Sequence, residues 1–332
     1  MNKVCRAVTV AVSTAGLCTA LAVPGATALA APEDAVRTIA TGFAGPLHVS
    51  VAPNGQIYVA DGFLGQISRV DPKTGSVTLV ASEPGAGTSG VDVLGGQIFY
   101  TTSFEPESDV AQPATALKRT TPSGQVKQVA DLLAYEIEFN PDGQPRVDDA
   151  DSNPYAVLAL PGRTLVADAA GNDIVEVRAN GSIRTLTVLP VSFAGDCATA
   201  PNNGVADGGC DPVPTDLALG PDGFVYASGL GSFAEGFVWK IDATTGEIVD
   251  TWGGLPPLTG VAVGDDGSVY ASSLFVGLIF KFAPNGAVSL AEVPGPAGLD
   301  FARGVLYVGT VDFAGGPGSV LAVRPAAFQA AG

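Results

Sequence analysis

The densest group of oxygen donors in the chain is Asp148-Asp149-Ala-Asp151-Ser-Asn153. Asp149, Asp151 and Asn153 alternate as the leading ligands of a calcium loop do, since hard divalent cations take several carboxylate and amide oxygens. The pattern then stops. Pro154 stands where such a loop needs glycine, and Leu160 where its closing glutamate belongs. The segment reads first as a solvated acidic loop and second as a metal site with Asp149, Asp151 and Asn153 as ligands. Calcium is the cation that oxygen donors and an acidic chain favour. Glu136 lies a little upstream as a further donor. His48 is the single histidine. Imidazole exchanges its proton near neutral pH, so His48 is a candidate general base, and equally a candidate hydrogen-bonded strand residue. There is no G-x-S-x-G elbow, no second histidine for a triad and no phosphate-binding glycine loop, so no catalytic residue is assigned.

These side chains need a scaffold, and residues 151–190 show its unit. Tyr155 to Leu160 is apolar throughout, as a strand covered on both faces is. Pro161-Gly162 turns the chain back into Thr164 to Ala167, and Ala169 to Asn172 turns it again. Ile174 to Arg178 alternates apolar and charged residues, and Asn180-Gly181 is a hairpin signal leading into Ser182 to Val188. A four-stranded antiparallel meander of this kind cannot cover both its faces alone, so copies must stack beside it.

The copies are present. The first turn recurs as VAPNGQIYVAD (Val51 to Asp61), VLGGQIFYT (Val93 to Thr101), LALPGRTLVAD (Leu158 to Asp168), LALGPDGFVYAS (Leu217 to Ser228), VAVGDDGSVYAS (Val261 to Ser272) and LDFARGVLYVGT (Leu299 to Thr310). The turn glycines, Gly55, Gly96, Gly162, Gly223, Gly267 and Gly304, are 41, 66, 61, 44 and 37 residues apart, so two copies carry insertions. The last copy ends without an outer strand, whereas Ala35 to Thr41 resembles an outer strand with no blade of its own. The expected fold is therefore all-β: a six-bladed β-propeller of four-stranded antiparallel blades, its ring closed by the N-terminal strand.

Length and composition agree. Forty-three glycines and twenty-five prolines in 332 residues suit a protein built of turns, and 46% hydrophobic content argues against disorder. Helix signals are nearly absent outside the first thirty residues. Residues 1–30 read as a secretory signal peptide, with Lys3 and Arg6, an apolar run from Ala7 to Val23 and an A-x-A site at Ala28 to Ala30. Residues 31–332 are then a single propeller domain, exported and extracellular, with no membrane span. Cys197 and Cys210 remain after cleavage, and a disulfide between them is expected in an oxidising compartment. The formal charge is −17, which makes nucleic acid a poor partner. A monomer is expected.

Ala134 to Glu136 (AYE), Asn140 to Gly143 (NPDG), Asp151 to Tyr155 (DSNPY), Leu165 to Asp168 (LVAD) with Ala169 to Asn172 (AAGN), Val213 to Thr215 (VPT) and Leu219 to Gly223 (LGPDG) resemble the ScyD/ScyE family of exported bacterial proteins. The resemblance implies a six-bladed propeller and assigns no reaction. The architecture is also similar to NHL-repeat and gluconolactonase propellers. In those lactonases the resemblance would imply a channel metal held by Glu, two amides and Asp. Here Pro46-Leu47-His48 offers no Glu at the first position, Asn153 matches one amide, and Thr215 and Thr259 put hydroxyls at the corresponding starts.

Loops between blades and loops joining second to third strands share one propeller face. The insertions at 104–116, 134–153 and 191–212 all fall there, leaving the short PNG and PDG turns on the other. A ligand site is expected at the channel mouth on the long-loop face, formed by His48, Glu136, Asn153, Thr215 and Thr259. Three functions stay open: a module binding a small molecule or protein, a metal-dependent hydrolase of the lactonase kind, or a structural, surface-associated protein without a small-molecule site.

Overall fold

The computed structural model describes residues 6–7, 35–104, 114–121, 124–143, 151–200 and 208–331. Residues 1–5 and 8–34 lie outside them, as do Asp148 and Asp149. Six antiparallel sheets form a ring. Blade 1 is Pro46–Val51, Ile57–Asp61, Gln66–Val70 and Val77–Ser82. Blade 2 is Val91–Leu94, Gln97–Phe104, Ala116–Thr120 and Val126–Asp131, with Ala86–Gly87 added beside its second strand. Blade 3 is Pro154–Leu160, Arg163–Asp168, Asp173–Arg178 and Ile183–Val188. Blade 4 is Pro214–Leu219, Phe224–Gly229, Gly236–Asp242 and Ile248–Leu255. Blade 5 is Gly260–Val263, Val269–Ser273, Leu278–Phe282 and Val288–Glu292. Blade 6 takes Pro296–Ala302, Val305–Thr310 and Gly318–Val323 from the C-terminal end and Val36–Phe43 from the N-terminal end.

That last pairing closes the ring as expected, with Val36 opposite Val323 and Thr41 opposite Ser319. The closing strand also carries part of the core. Ile39, Ala40 and Phe43 pack with Val49, Ile57, Val59 and Val70 of blade 1. Among the described residues, six apolar clusters each fill one interface between neighbouring blades. This is why the inner and second strands read as nearly continuous apolar runs: each face of a blade meets another blade.

Three features depart from, or add to, the sequence reading. Leu132–Phe139 is an α-helix (α1) leading out of blade 2. Asp131 caps it by accepting the Ala134 N–H at 2.9 Å, and Asn140 ends it in the left-handed conformation. Eight residues are too short to show helical periodicity. Gln329–Ala330 of the C-terminal tail adds a fifth strand to blade 5. Arg6–Ala7 runs parallel to Trp252–Gly253 on the outer edge of blade 4.

The Cys197–Cys210 disulfide is present, with Cα atoms 5.0 Å apart. Both cysteines lie in the cluster between blades 3 and 4, so the bridge anchors the 191–212 connection to the core.

Blade 3 holds an ion cluster around Glu176, whose side chain is buried while its arginine partners reach solvent. Glu176 accepts from Arg163 and Arg184 at 2.6 Å and from Arg178 at 3.2 Å. The Arg184 hydrogen bond, with those of Arg163 and Arg178, outweighs burial and holds the carboxyl down at about 2. A carboxyl lower in the folded chain than its ordinary 4.5 stabilises the fold above that value, and the contribution fades as pH falls toward 2. Glu176→Gln should therefore be less stable than the wild type at about pH 6, and the gap in urea midpoints should narrow at about pH 3. A gap independent of pH would remove the ion cluster as its cause.

Candidate functional site

The inner strands of a propeller have no strand partner on the axial side. Their axial N–H groups have no strand to pair with and need other acceptors. Strand register puts His48, Ala156, Asp216 and Gly260, opposite Ala60, Ala167, Ser228 and Ser272, at one level of this channel. The next level toward the short turns carries Ser50, Asp92, Leu158, Ala218, Ala262 and Asp300.

At the upper level His48 of blade 1 meets Asp216 of blade 4, directly across the ring. His48 Nε2 lies 2.6 Å from Asp216 Oδ1. Small residues make the crossing possible. A Cβ on Gly298 would stand 2.6 Å from the Cα of His48. Asp216 also accepts the N–H groups of Leu217 at 2.7 Å, Val261 at 2.9 Å and Leu299 at 3.4 Å. One carboxylate thus joins blades 4, 5 and 6 to blade 1. Below it, Asp92 accepts from Ser50 Oγ at 2.8 Å, Val93 N at 2.7 Å and Ala159 N at 2.7 Å, linking blades 1, 2 and 3. Asp300 accepts the Val51 N–H at 2.6 Å and joins blade 6 to blade 1.

These groups enclose a cavity of about 230 Å3, lined among others by His48, Ser50, Asp92 and Asp300. The His48 ring is 4% exposed, and its Nδ1 has no hydrogen-bond partner. Burial alone would push the imidazole down. The charge and hydrogen bond of Asp216, with Asp92 and Asp300 beyond, overcome this and raise it above 6.5. Burial, opposed by the Val51 N–H and reinforced by Asp92, pushes Asp300 up to about 7. Burial likewise raises Asp92. Tyr155, on the long-loop side of this level, is pushed to about 12 by burial and the Asp216 charge. The channel therefore holds an oriented imidazole with one bare nitrogen and a carboxyl that exchanges its proton near neutrality.

A second polar centre lies on the long-loop face between α1 and blade 3. Asp168 ties the turn together. Its Oδ1 accepts from Asn153, Ala170 and Gly171 N–H groups at 2.8, 3.2 and 3.1 Å, and its Oδ2 from Ser152 Oγ at 2.5 Å. Asp61 does the same for Ala44 and Gly45 in blade 1. Asn172 donates to Asp142 at 3.1 Å and accepts from Val213 N at 3.2 Å. Val213 has φ 45°, which is strained for a β-branched residue. Asp173 is buried with Oδ2 unpartnered, and burial with the charges of Asp168, Glu136 and Asp142 pushes its carboxyl well above the ordinary range.

The expected site residues separate. His48 lies in the channel. Glu136, on α1, is buried and joins the Asp168–Asp173 cluster. Thr215 Oγ1 donates to the Leu258 carbonyl at 3.0 Å and Thr259 Oγ1 to that of Pro296 at 3.0 Å, so both hydroxyls staple adjacent blades. Asn153 is half-buried with its backbone held by Asp168. Asp151 is exposed and accepts from its neighbour Ser152. Asp149 lies outside the described residues. Among the described residues, no three His, Cys, Asp or Glu side chains are arranged to hold a metal ion, and no helix is long and apolar enough to cross a membrane. Sequence reading missed Asp92, Asp216 and Asp300. Their signal was a lone aspartate within an apolar inner strand, in VDVL, PTDLAL and LDFA.

The long-loop face also carries a crest of exposed rings on the loops between second and third strands. Phe233, Phe275 and Phe313 of blades 4, 5 and 6 are 66%, 52% and 67% exposed, and their centroids are spaced 5.5 and 6.5 Å. Phe63 holds the corresponding place in blade 1.

The fold and its axial channel define the class: a six-bladed β-propeller. The sequence matches no known family profile and no curated protein. Solved structures similar to it include the PQQ-bound form of aldose sugar dehydrogenase from Streptomyces coelicolor, at TM-score 0.58 and 16% identity over 86% of this chain and 97% of that one. A gluconolactonase from Xanthomonas campestris gives TM-score 0.57 and 14% identity over 87% and 89%. A virginiamycin B lyase from Staphylococcus aureus gives 0.51 and 15% over 86% of each chain. At these identities the likeness is one of fold.

Proposed function

We propose that the protein is an exported propeller enzyme that hydrolyses a small ester or lactone in its axial channel. The observation that carries this reading is His48, a residue lining the cavity: Nε2 is held by Asp216 at 2.6 Å while the buried Nδ1 has no hydrogen-bond partner. A carboxylate that fixes one ring nitrogen and leaves the other free is what general-base catalysis requires. In the neutral ring Nε2–H donates to Asp216, and Nδ1 accepts a proton from a water that attacks the carbonyl. Asp216 and Asp92 stabilise the imidazolium that results. Asp300, protonated below about 7, is the group in the same cavity able to return a proton to the leaving oxygen. The small cavity favours compact substrates. A lactone is the substrate class of one structural neighbour, the gluconolactonase, and its chemistry fits these two groups.

The test is hydrolysis of p-nitrophenyl acetate and of five- and six-membered lactones, comparing the wild type with His48→Gln. The expected result is a kcat at least about 100-fold lower in the variant, with wild-type activity rising as pH passes the raised His48 value. Equal rates in the two proteins would remove His48 from the chemistry. If the wild type hydrolyses none of these substrates, the second reading stands: a binding module that uses the long-loop face. The crest of Phe233, Phe275 and Phe313 specifically favours it, because rings so exposed and contiguous mark interaction sites. Of the residues that resemble the ScyD/ScyE family, Glu136, Asp168, Asn172 and Val213 gather on that same face. They favour a site there, with the Asp173 cluster as its polar part.

A further inference from the structure

On the short-turn face, away from the channel and the long loops, blades 4 and 5 enclose a cleft of about 840 Å3. Its lining combines Tyr226, Trp252 and Phe282 with Asp222, Asp250 and Lys240. Trp252 and Phe282 are half-buried and face the cleft from the outer strand of blade 4 and the third strand of blade 5. The indole is braced within the cleft: it stacks on Tyr226 at 6.0 Å with planes 16° apart, and Tyr226 Oη is fixed by Asp222 at 2.9 Å. Lys240 Nζ pairs with Asp222 at 2.7 Å and lies 4.5 Å over the Phe224 ring.

We propose that this cleft binds a neutral carbohydrate. Its volume lies in the range of pockets that take drug-sized ligands, roughly 300–1,000 Å3. A sugar ring has apolar C–H faces and an equator of hydroxyls. It therefore needs a flat aromatic floor together with fixed groups able to donate and accept at the rim. The braced Trp252 supplies the floor. The Asp222–Lys240 pair supplies an acceptor and a donor already ordered by each other, so little entropy is lost on binding. Asp250 adds an acceptor beside the indole. Charge argues against anions, which the acidic rim repels, and one aromatic face of the cleft, that of Tyr226, already carries Lys240 at 5.5 Å. The site is independent of the hydrolytic reading, since it shares no residue with the channel.

The experiment is isothermal titration of the purified protein with maltotriose, cellotriose and laminaritriose, and with tetramethylammonium as the organic-cation probe. The expected result is saturable binding of at least one trisaccharide below about 10 mM, weakened at least about tenfold in Trp252→Ala. Asp250→Asn is half-buried, leaves the core untouched and should weaken binding about threefold or more, so a folding defect in the first variant does not decide the matter. Intrinsic fluorescence gives a second reading. Of the two tryptophans, Trp239 is 1% exposed, so a ligand-dependent change reports Trp252. No binding by any trisaccharide, binding unchanged in both variants, or binding of tetramethylammonium alone would each overturn the proposal.

Discussion

Replacing Asp216 by alanine should cost about 4 kcal/mol or more of folding stability, one of the largest losses any single substitution in this chain could cause. The side chain is fully buried and receives three backbone N–H groups and the His48 ring. Each buried donor left without a partner costs about 1–3 kcal/mol, and breaking a buried charged pair costs about 3–5 kcal/mol. Set against a typical total of about 5–15 kcal/mol, this leaves a marginal protein. Asp216→Asn keeps an acceptor of the same shape and should lose much less. Urea denaturation of the two variants beside the wild type measures both losses. An alanine variant within about 1 kcal/mol of the wild type would show that the carboxylate does not tie the blades.

Removing residues 35–43 should abolish the closed, folded ring. Blade 6 would lose its outer strand and expose the backbone of Gly318–Val323 as an open edge. The loss also reaches the next blade, because Ile39 and Phe43 pack against Val49, Ile57 and Val70. Two such side chains contribute about 1.5–3 kcal/mol each, before any hydrogen bond of the ladder is counted. Size-exclusion chromatography should show aggregates, and adding a peptide of residues 35–43 should restore the elution of the full chain by strand addition. A truncated chain that elutes and melts like the full one would mean that the ring is closed some other way.

The blades were legible because their signals are local. Alternation in Ile174 to Arg178 and turn glycines such as Gly162 and Gly223 declare each hairpin without reference to the rest of the chain. Closure could be inferred because an orphan strand at one end matched a missing strand at the other. The site was less legible. His48 was identifiable as the lone imidazole, but its partner is 168 residues away and meets it only because blades 1 and 4 face each other across the axis. Asp92 and Asp300 are hidden for the same reason. Thr215 and Thr259 looked like channel residues because they begin inner strands. In the structure the side chains at that position turn into the blade interface, and the next position faces the axis. Helix α1 could not be read from its eight residues, although its cap pair, Asp131 and Asn140, was visible.

The general-base role requires His48 to stand in the channel with one nitrogen held and the other free. The chain contains one histidine, so nitrogen-15 NMR of the protein labelled in histidine reads that ring without ambiguity. Above its pKa the ring should show the Nε2–H tautomer, a protonated nitrogen held by Asp216 and an Nδ1 shift typical of a bare, basic nitrogen. On titration the ring should gain its proton at a pH above 6.5, because Asp216 with Asp92 and Asp300 outweighs burial. In Asp216→Asn that midpoint should fall. A ring protonated at Nδ1, or a midpoint below 6.5 in the wild type, would contradict the geometry and with it the general-base role.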